Sequence, residues 1–304
     1  MENRILPFSL LFAACLTAAP QTPAKFNAHA AFTDLQQIVA IGPRPAGSPG
    51  AARTREYIAG QMKALGLAVE EQAFDARTPL GVTRMVNVRV KVPGSDASRG
   101  RLVIGGHYDT KLFKDITFVG ANDGGSSTAF LIELARVLKG RANALPIEIL
   151  FLDGEEAVVE WQDMDHTYGS RHYVESARRE GTLKDIRAFI LVDMIGDREL
   201  RILRESSSTP WLTDIIWTAA KKLSRREFVD ESTPIEDDHI EFLAAGVPAV
   251  DIIDLDYPDD TRRYWHTAAD TIDKVSAQSL QVVADVLLAA LPAIEQRLAS
   301  PSPK

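Results

Sequence analysis

Short apolar runs rich in β-branched residues recur along the chain, and such runs are typical of strands buried on both faces of a sheet. Two segments alternate between apolar and polar side chains instead, as strands with one solvated face do. All of these segments are shorter than the ten or more residues that a helix usually needs. The predicted strands are Leu67–Phe74, Arg84–Val92, Arg101–Gly105, Pro146–Leu152, Ile186–Val192 and Val247–Ile253.

Between and around these strands, apolar residues recur at the three- and four-residue spacing of amphipathic helices. The predicted helices are Ala31–Val39, Ala51–Leu65, Ser127–Leu138, Gly169–Arg179, Trp211–Leu223, His239–Ala245 and Ser276–Arg297. Strands that alternate with helices predict an α/β fold, a three-layer α/β/α sandwich with a central mixed, largely parallel sheet. With no internal repeat or linker in view, we assign residues 28–298 to one domain, residues 1–27 to a signal peptide and tether, and residues 299–304 to a tail.

The N-terminal segment has the layout of a secretory signal. Arg4 precedes the short apolar run Ile5–Ala14, and small residues follow. The stretch Phe12–Cys15 (FAAC) resembles the lipobox of bacterial lipoproteins, so one outcome is a periplasmic protein tethered to a membrane through a lipid on Cys15. Cleavage among Leu16–Ala24 would release a soluble protein instead. Either outcome predicts an exported protein.

The composition and net charge indicate which partners this protein can bind. Of the 304 residues, 45% are hydrophobic and 25% are charged, as in ordinary globular proteins, and the net charge is −8. An acidic chain lacks the basic face of a nucleic-acid binder, so we expect no nucleic-acid partner. Cys15 is the only cysteine, which excludes an internal disulfide. We expect a monomer.

Acidic and histidine side chains follow several predicted strands or precede a helix, where open α/β sheets bind their ligands. These residues are His107, Asp123, Glu155, Glu156, Asp193 and His266. Buried carboxylates at this density need a cation, and zinc accepts both imidazole nitrogen and carboxylate oxygen. A zinc enzyme is therefore predicted. If Glu156 is a metal ligand, its neighbour Glu155 is free to act as general acid and base.

Six segments carry a family resemblance: GHYDT, GANDGGSS, FLDGEEA, LVDMIG, DDHIEFLAAGVP and YWHTAADT. In this order they resemble the zinc-dependent exopeptidase superfamily of aminopeptidases, and within it the glutaminyl-peptide cyclotransferases of animal type. The resemblance spans about residues 42–291 and implies the superfamily's α/β fold. It also implies one zinc ion held by Asp123, Glu156 and His266.

The resemblance further implies roles around the metal. Glu155 would be the proton shuttle, and Asp193 and Asp237 would form a catalytic acidic pair beside the substrate amine. Four residues are implied to bind substrate: Trp161, Trp265, Tyr257 and Asp251. The first two match pocket tryptophans, whereas the last two stand where the animal enzymes have phenylalanine and histidine.

The implied reaction converts the N-terminal glutamine of peptides or proteins to pyroglutamate and releases ammonia, with zinc polarising the amide. The alternative is an aminopeptidase with one or two zinc ions, for which His107 is a possible ligand of the second metal. Every residue type of a two-zinc site is present. We favour the cyclotransferase, because the spacer from Glu160 to His172 and the acidic residue Asp237 match its pattern.

Overall fold

The protein is described by a computed structural model that covers residues 25–299. Residues 1–24 of the predicted signal peptide and tether, which include Cys15, lie outside the described residues. The first helix begins at Ala28 and the last ends at Ala299. The proposed division of the chain into leader, domain and tail therefore stays a prediction.

Every predicted strand and helix has a counterpart within the described residues. The helices are α1 (Ala28–Ile41), α2 (Pro49–Ala64), α3 (Gly125–Lys139), α4 (Tyr168–Arg179), α5 (Pro210–Lys222), α6 (His239–Ala244) and α7 (Ala277–Ala299). The strands are β1 (Val69–Thr78), β2 (Gly81–Val92), β3 (Arg101–His107), β4 (Ile147–Leu152), β5 (Ile186–Asp193), β6 (Ile202–Glu205), β7 (Phe228–Thr233) and β8 (Ala249–Ile253).

The central sheet has the strand order β1-β2-β4-β3-β5-β8. Strands β4, β3, β5 and β8 are parallel, and the β1–β2 hairpin joins β4 as an antiparallel edge. The sheet is thus mixed and largely parallel. The parallel strands are buried on both faces, as their continuous apolar sequences predict.

Two hydrophobic cores cover the two faces of the sheet. Along β3, Leu102 and Ile104 belong to the core that contains residues of α1, α3, α5 and α7, whereas Val103 belongs to the core with α4 and α6. Successive side chains of a strand point to opposite faces, so the helices form two outer layers around the sheet. The predicted three-layer sandwich is confirmed.

A second, two-stranded sheet was not predicted. β6 and β7 pair in parallel, apart from the main sheet. β6 has only four residues, and half of the residues of β7, which has the sequence FVDEST, are solvent-exposed. Neither segment has the length or apolar content from which a strand can be recognised.

Helix α7 is the one described helix that is long and apolar enough to cross a membrane. More than half of its apolar window is buried, and it contacts α1 and α5. A helix with its apolar face packed inside the protein is a core helix. The parallel strands then direct their carboxyl ends to one edge, where β3 ends at His107 and β5 ends at Asp193.

Candidate metal centre and active site

The structure brings Asp123, Glu156 and His266 together at this edge of the sheet. The Nε2 atom of His266 lies 3.2 Å from Oε1 of Glu156 and 3.3 Å from Oδ2 of Asp123. Zinc bonds of about 2.0–2.1 Å in a tetrahedral site put donor atoms about 3.3 Å apart. Oδ2 of Asp123 is also buried without a hydrogen-bond partner. Both observations fit these residues to zinc.

The two adjacent glutamates are presented by a tight turn after β4. Gly154 has a φ of 71°, a left-handed conformation that favours glycine. The carboxylate of Asp109 then accepts the main-chain N–H of Glu155 at 3.2 Å and that of Glu156 at 3.4 Å. Because one side chain holds both amides, the turn separates the two glutamate side chains in a fixed geometry. Sequence reasoning did not identify Asp109.

The metal centre favours a positive charge. Burial lowers the pKa of His266, but the carboxylates of Glu156 and Asp123 outweigh burial and raise it to about 10. Burial raises the pKa of Asp123, but its close contacts with the His107 and His266 imidazoles outweigh burial and hold it well below its usual range. A site where carboxylates stabilise an added positive charge is suited to a divalent cation.

A second donor set lies beside the first and shares Asp123 with it. His107 Nε2 is 3.3 Å from Oδ1 of Asp123 and 3.1 Å from Oδ1 of Asp193. His107, Asp123 and Asp193 are all buried, and one donor atom from each lies within metal-binding distance of the others. The donor positions alone are compatible with one ion or with two.

Glu155 belongs to neither donor set and lines the same cavity as the metal ligands. Its side chain is buried, with Oε2 3.9 Å from Nδ1 of His107. Burial raises the pKa of Glu155 well above its usual range, the charges of Asp237 and Glu156 add to this, and His107 opposes it. An unligated carboxyl with a raised pKa can both accept and donate a proton near neutral pH.

Asp193 and Asp237 also line the cavity. Burial, and next the charge of Asp193, raises the pKa of Asp237 well above its usual range. Asp237 accepts a hydrogen bond from the main-chain N–H of Asp238 at 2.5 Å. The charge of Asp193 thus favours the protonated form of Asp237.

Trp161 and Trp265 form part of the cavity wall, and their contact with substrate stays a prediction. The Trp265 ring stacks on the His266 imidazole with their centroids 4.2 Å apart. Trp161 stacks on His166 at 4.3 Å and donates its indole N–H to Glu236. Sequence reasoning missed His166 and Glu236, since neither lies in a motif. The cavity measures about 230 Å³, and its remaining lining is mostly apolar.

Tyr257 and Asp251 lie behind the cavity wall rather than in it. Both are fully buried, and neither lines the cavity. The Tyr257 hydroxyl donates a hydrogen bond to Asp270 at 2.8 Å, and Oδ2 of Asp251 lies 3.7 Å from Nδ1 of His239. Both side chains therefore lie in the core next to the site, and their contact with substrate stays a prediction.

Comparison with known protein families identifies the family to which this chain belongs. Residues 87–291 match the sequence profile described as peptidase family M28. The chain belongs to this family. M28 membership confirms the resemblance to zinc-dependent exopeptidases drawn from the sequence, and it identifies the chain as an enzyme.

Relatives of this M28 chain carry the names of two activities. A glutaminyl-peptide cyclotransferase-like protein of Bos taurus is 31% identical over 271 residues, which cover 79% of this chain and 68% of that protein. The crystal structure of a glutaminyl cyclase from an Acidobacteriales bacterium is 43% identical, covers 93% of this chain and 100% of its own, and has a TM-score of 0.85. A leucine aminopeptidase precursor from Bacteroides thetaiotaomicron is 27% identical, covers 89% of this chain and 98% of its own, and has a TM-score of 0.79.

Proposed function

We propose that this M28 enzyme is a glutaminyl-peptide cyclotransferase, which converts N-terminal glutamine of peptides to pyroglutamate and releases ammonia. The observation that carries the proposal is the pair Asp193 and Asp237, set in one cavity with the unligated Glu155. An acidic pair beside the metal centre is suited to hold a substrate's α-amine. Two of the three relatives described above carry the name of a glutaminyl cyclotransferase or cyclase, which supports the same reaction.

The reaction needs a curled substrate and two proton transfers. The α-amine nitrogen forms a bond to the side-chain amide carbon, and the bond from that carbon to its NH₂ group breaks. The amine must lose a proton, and the departing nitrogen must gain one. Glu155 is the group that takes the proton from the amine and delivers it to the departing NH₂ nitrogen, which leaves as ammonia, because Glu155 is buried in the cavity and belongs to neither metal donor set.

The remaining residues position the substrate. Asp193 and Asp237 hold the amine, while Trp161 and Trp265 enclose the glutamine side chain in its curled form, which is an orientation effect. Asp123, Glu156 and His266 would hold the zinc, which polarises the amide carbonyl when bound. The cavity of about 230 Å³ offers space for the side chain of an N-terminal residue.

We also propose a single zinc ion. The resemblance to glutaminyl-peptide cyclotransferases supports this count, and in a one-zinc site His107 and Asp193, 3.1 Å apart, would pair with each other. The aminopeptidase alternative draws on the same two residues, because with Asp123 they supply a second donor set. In that enzyme Asp193 would ligate a metal and would be lost as a partner for the substrate amine.

Two peptides distinguish these functions. Purified zinc-loaded protein is incubated with one peptide that begins with glutamine and one that begins with leucine, and the products are weighed by mass spectrometry. A cyclotransferase removes ammonia from the first peptide and leaves the second intact. Stepwise loss of N-terminal residues would identify an aminopeptidase. A matched incubation with Glu155→Gln protein excludes spontaneous cyclisation.

The cellular setting is proposed from the N-terminal sequence. A signal-like segment followed by Cys15 supports export to the periplasm, with the protein either lipid-anchored or released. Peptides and proteins with N-terminal glutamine are the proposed partners, and the enzyme is proposed to be monomeric. Fractionation of cells that express wild-type and Cys15→Ser protein tests the anchor, since only loss of a lipid would move the protein from membrane to soluble fraction.

A further inference from the structure

Arg44 is a fully buried cation that the proposed mechanism does not use. It lies in the loop GPRPAGSPG, far from the metal ligands in sequence. Each hydrogen bond of its guanidinium goes to a main-chain carbonyl, and three of these carbonyls belong to the segment 119–123: Val119, Gly120 and Asp123. Burying a guanidinium is costly unless its donors are hydrogen-bonded. The carbonyls of segment 119–123 supply most of the acceptors that offset this cost.

Asp270 binds the same segment from the other side. Its carboxylate, also fully buried, accepts the main-chain N–H of Asn122 at 2.8 Å and that of Asp123 at 3.2 Å. The hydroxyl of Tyr257 donates a third hydrogen bond to it at 2.8 Å. Hydrogen bonds to a charged group are about twice as strong as those between neutral groups.

The segment 119–123 is therefore hydrogen-bonded from both sides. The Arg44 guanidinium binds its carbonyls, and the Asp270 carboxyl group binds its amides. The turn in this segment is also tight. Gly120 has a φ of 50°, and a Cβ at this position would meet the carbonyl oxygen of Asp123 at 2.4 Å. The segment ends at Asp123, whose side chain belongs to both sets of possible metal donors.

We propose that Arg44 and Asp270 are positioning residues of the metal centre, which fix the main chain of segment 119–123 and thereby aim Asp123 at the zinc. Tyr257 completes the arrangement by holding Asp270. The proposal predicts the affinity for zinc. Its test therefore does not depend on whether the enzyme cyclises glutamine or hydrolyses peptides.

The test measures the zinc dissociation constant by competition with a chromophoric chelator, in variants whose fold is checked by circular dichroism. Asp270→Asn and Arg44→Lys should each weaken zinc binding by about tenfold to hundredfold, the range typical of partners that orient a ligand. Tyr257→Phe removes only one hydroxyl and should weaken binding by about threefold to tenfold. Tyr264→Phe is the matched control, because its ring packs edge-on against Tyr257.

Folded Asp270→Asn and Tyr257→Phe proteins that bind zinc as tightly as wild type would overturn the proposal. If Asp270→Asn and Arg44→Lys do not fold, Tyr257→Phe decides alone, since it keeps the buried ring. Weaker zinc binding in Tyr257→Phe with unchanged binding in Tyr264→Phe would support the proposal. Equal loss in both tyrosine variants would attribute the effect to the loop as a whole and would overturn it.

Discussion

The imidazole of His107 pairs with the carboxylate of Asp193, with Nε2 of the histidine 3.1 Å from Oδ1 of the aspartate. Burial lowers the pKa of His107, but the charges of Asp193 and Glu155 outweigh burial and raise it well above its usual range. A histidine must be neutral to bind a metal. The contact therefore leaves two assignments for His107: a charged partner that anchors Asp193 beside the substrate, or a neutral ligand of a second metal.

The metal content tests this relationship. We expect purified wild-type protein to carry one zinc per chain after gel filtration, measured by inductively coupled plasma mass spectrometry. His107→Gln should retain that one zinc, because Asp123, Glu156 and His266 are untouched. Two zinc ions in wild type that fall to one in His107→Gln would instead assign His107 to a second metal, and would favour the aminopeptidase.

Glu155→Gln should separate proton transfer from metal binding. Removal of a general acid–base carboxyl costs about 10²–10⁴-fold in rate, so kcat for a glutamine peptide should fall by that amount. Zinc content should stay unchanged, because Glu155 lies outside both donor sets. Glu160→Gln, on the exposed part of the same loop, is the control. A Glu155→Gln variant with a near-normal rate would remove this residue from the mechanism.

The fold and much of the site follow from local sequence. The parallel strands are continuous apolar runs, so their burial on two faces is visible in the chain itself. The residues at their carboxyl ends, such as His107 and Asp193, must then meet at one edge of the sheet. That geometric rule brings together residues 86 positions apart without any knowledge of side-chain contacts.

The supporting residues could not be found in this way. Arg44 lies in a Gly- and Pro-rich loop, where a charged side chain is usually solvated, and only tertiary packing reveals that it is fully buried. The stacking of His166 on Trp161 likewise depends on the path of an irregular loop. Tyr257 was assigned to the pocket from the family resemblance alone, and the sequence did not reveal that its hydroxyl donates a hydrogen bond to Asp270 inside the core.

Trp265→Ala should impair use of substrate without loss of the metal. Trp265 lines the cavity and stacks on His266, but it donates no ligand atom. Truncation of an aromatic contact costs about 2 kcal/mol, so kcat/KM for a glutamine peptide should fall roughly thirtyfold. Trp211→Ala is the control. It removes a half-buried tryptophan of α5 that packs against the core formed with α1, α3 and α7. Loss of zinc from Trp265→Ala would show that the ring mainly orients His266.

Asp251→Asn should stabilise the protein, and more so at alkaline pH. Asp251 is fully buried, and neither of its carboxylate oxygens has a hydrogen-bond partner in the described part of the chain. Burial, and then the charges of Asp237 and Asp193, raise its pKa well above its usual range. The folded protein therefore keeps this proton at pH values where the unfolded chain has released it.

The sign of the effect follows from that difference. Above the unfolded pKa of about 4, retention of the proton lowers the free energy of unfolding as pH rises, by up to about 1.4 kcal/mol per pH unit until the folded pKa is reached. Asparagine removes this dependence, and its amide can donate to Nδ1 of His239, which lacks a partner and lies 3.7 Å from Oδ2 of Asp251. Urea unfolding of zinc-saturated protein at pH 5 and pH 8 measures the difference. A gain for Asp251→Asn that is the same at both pH values, or as large in the exposed control Asp260→Asn, would contradict the interpretation of Asp251 as a buried acid that holds its proton.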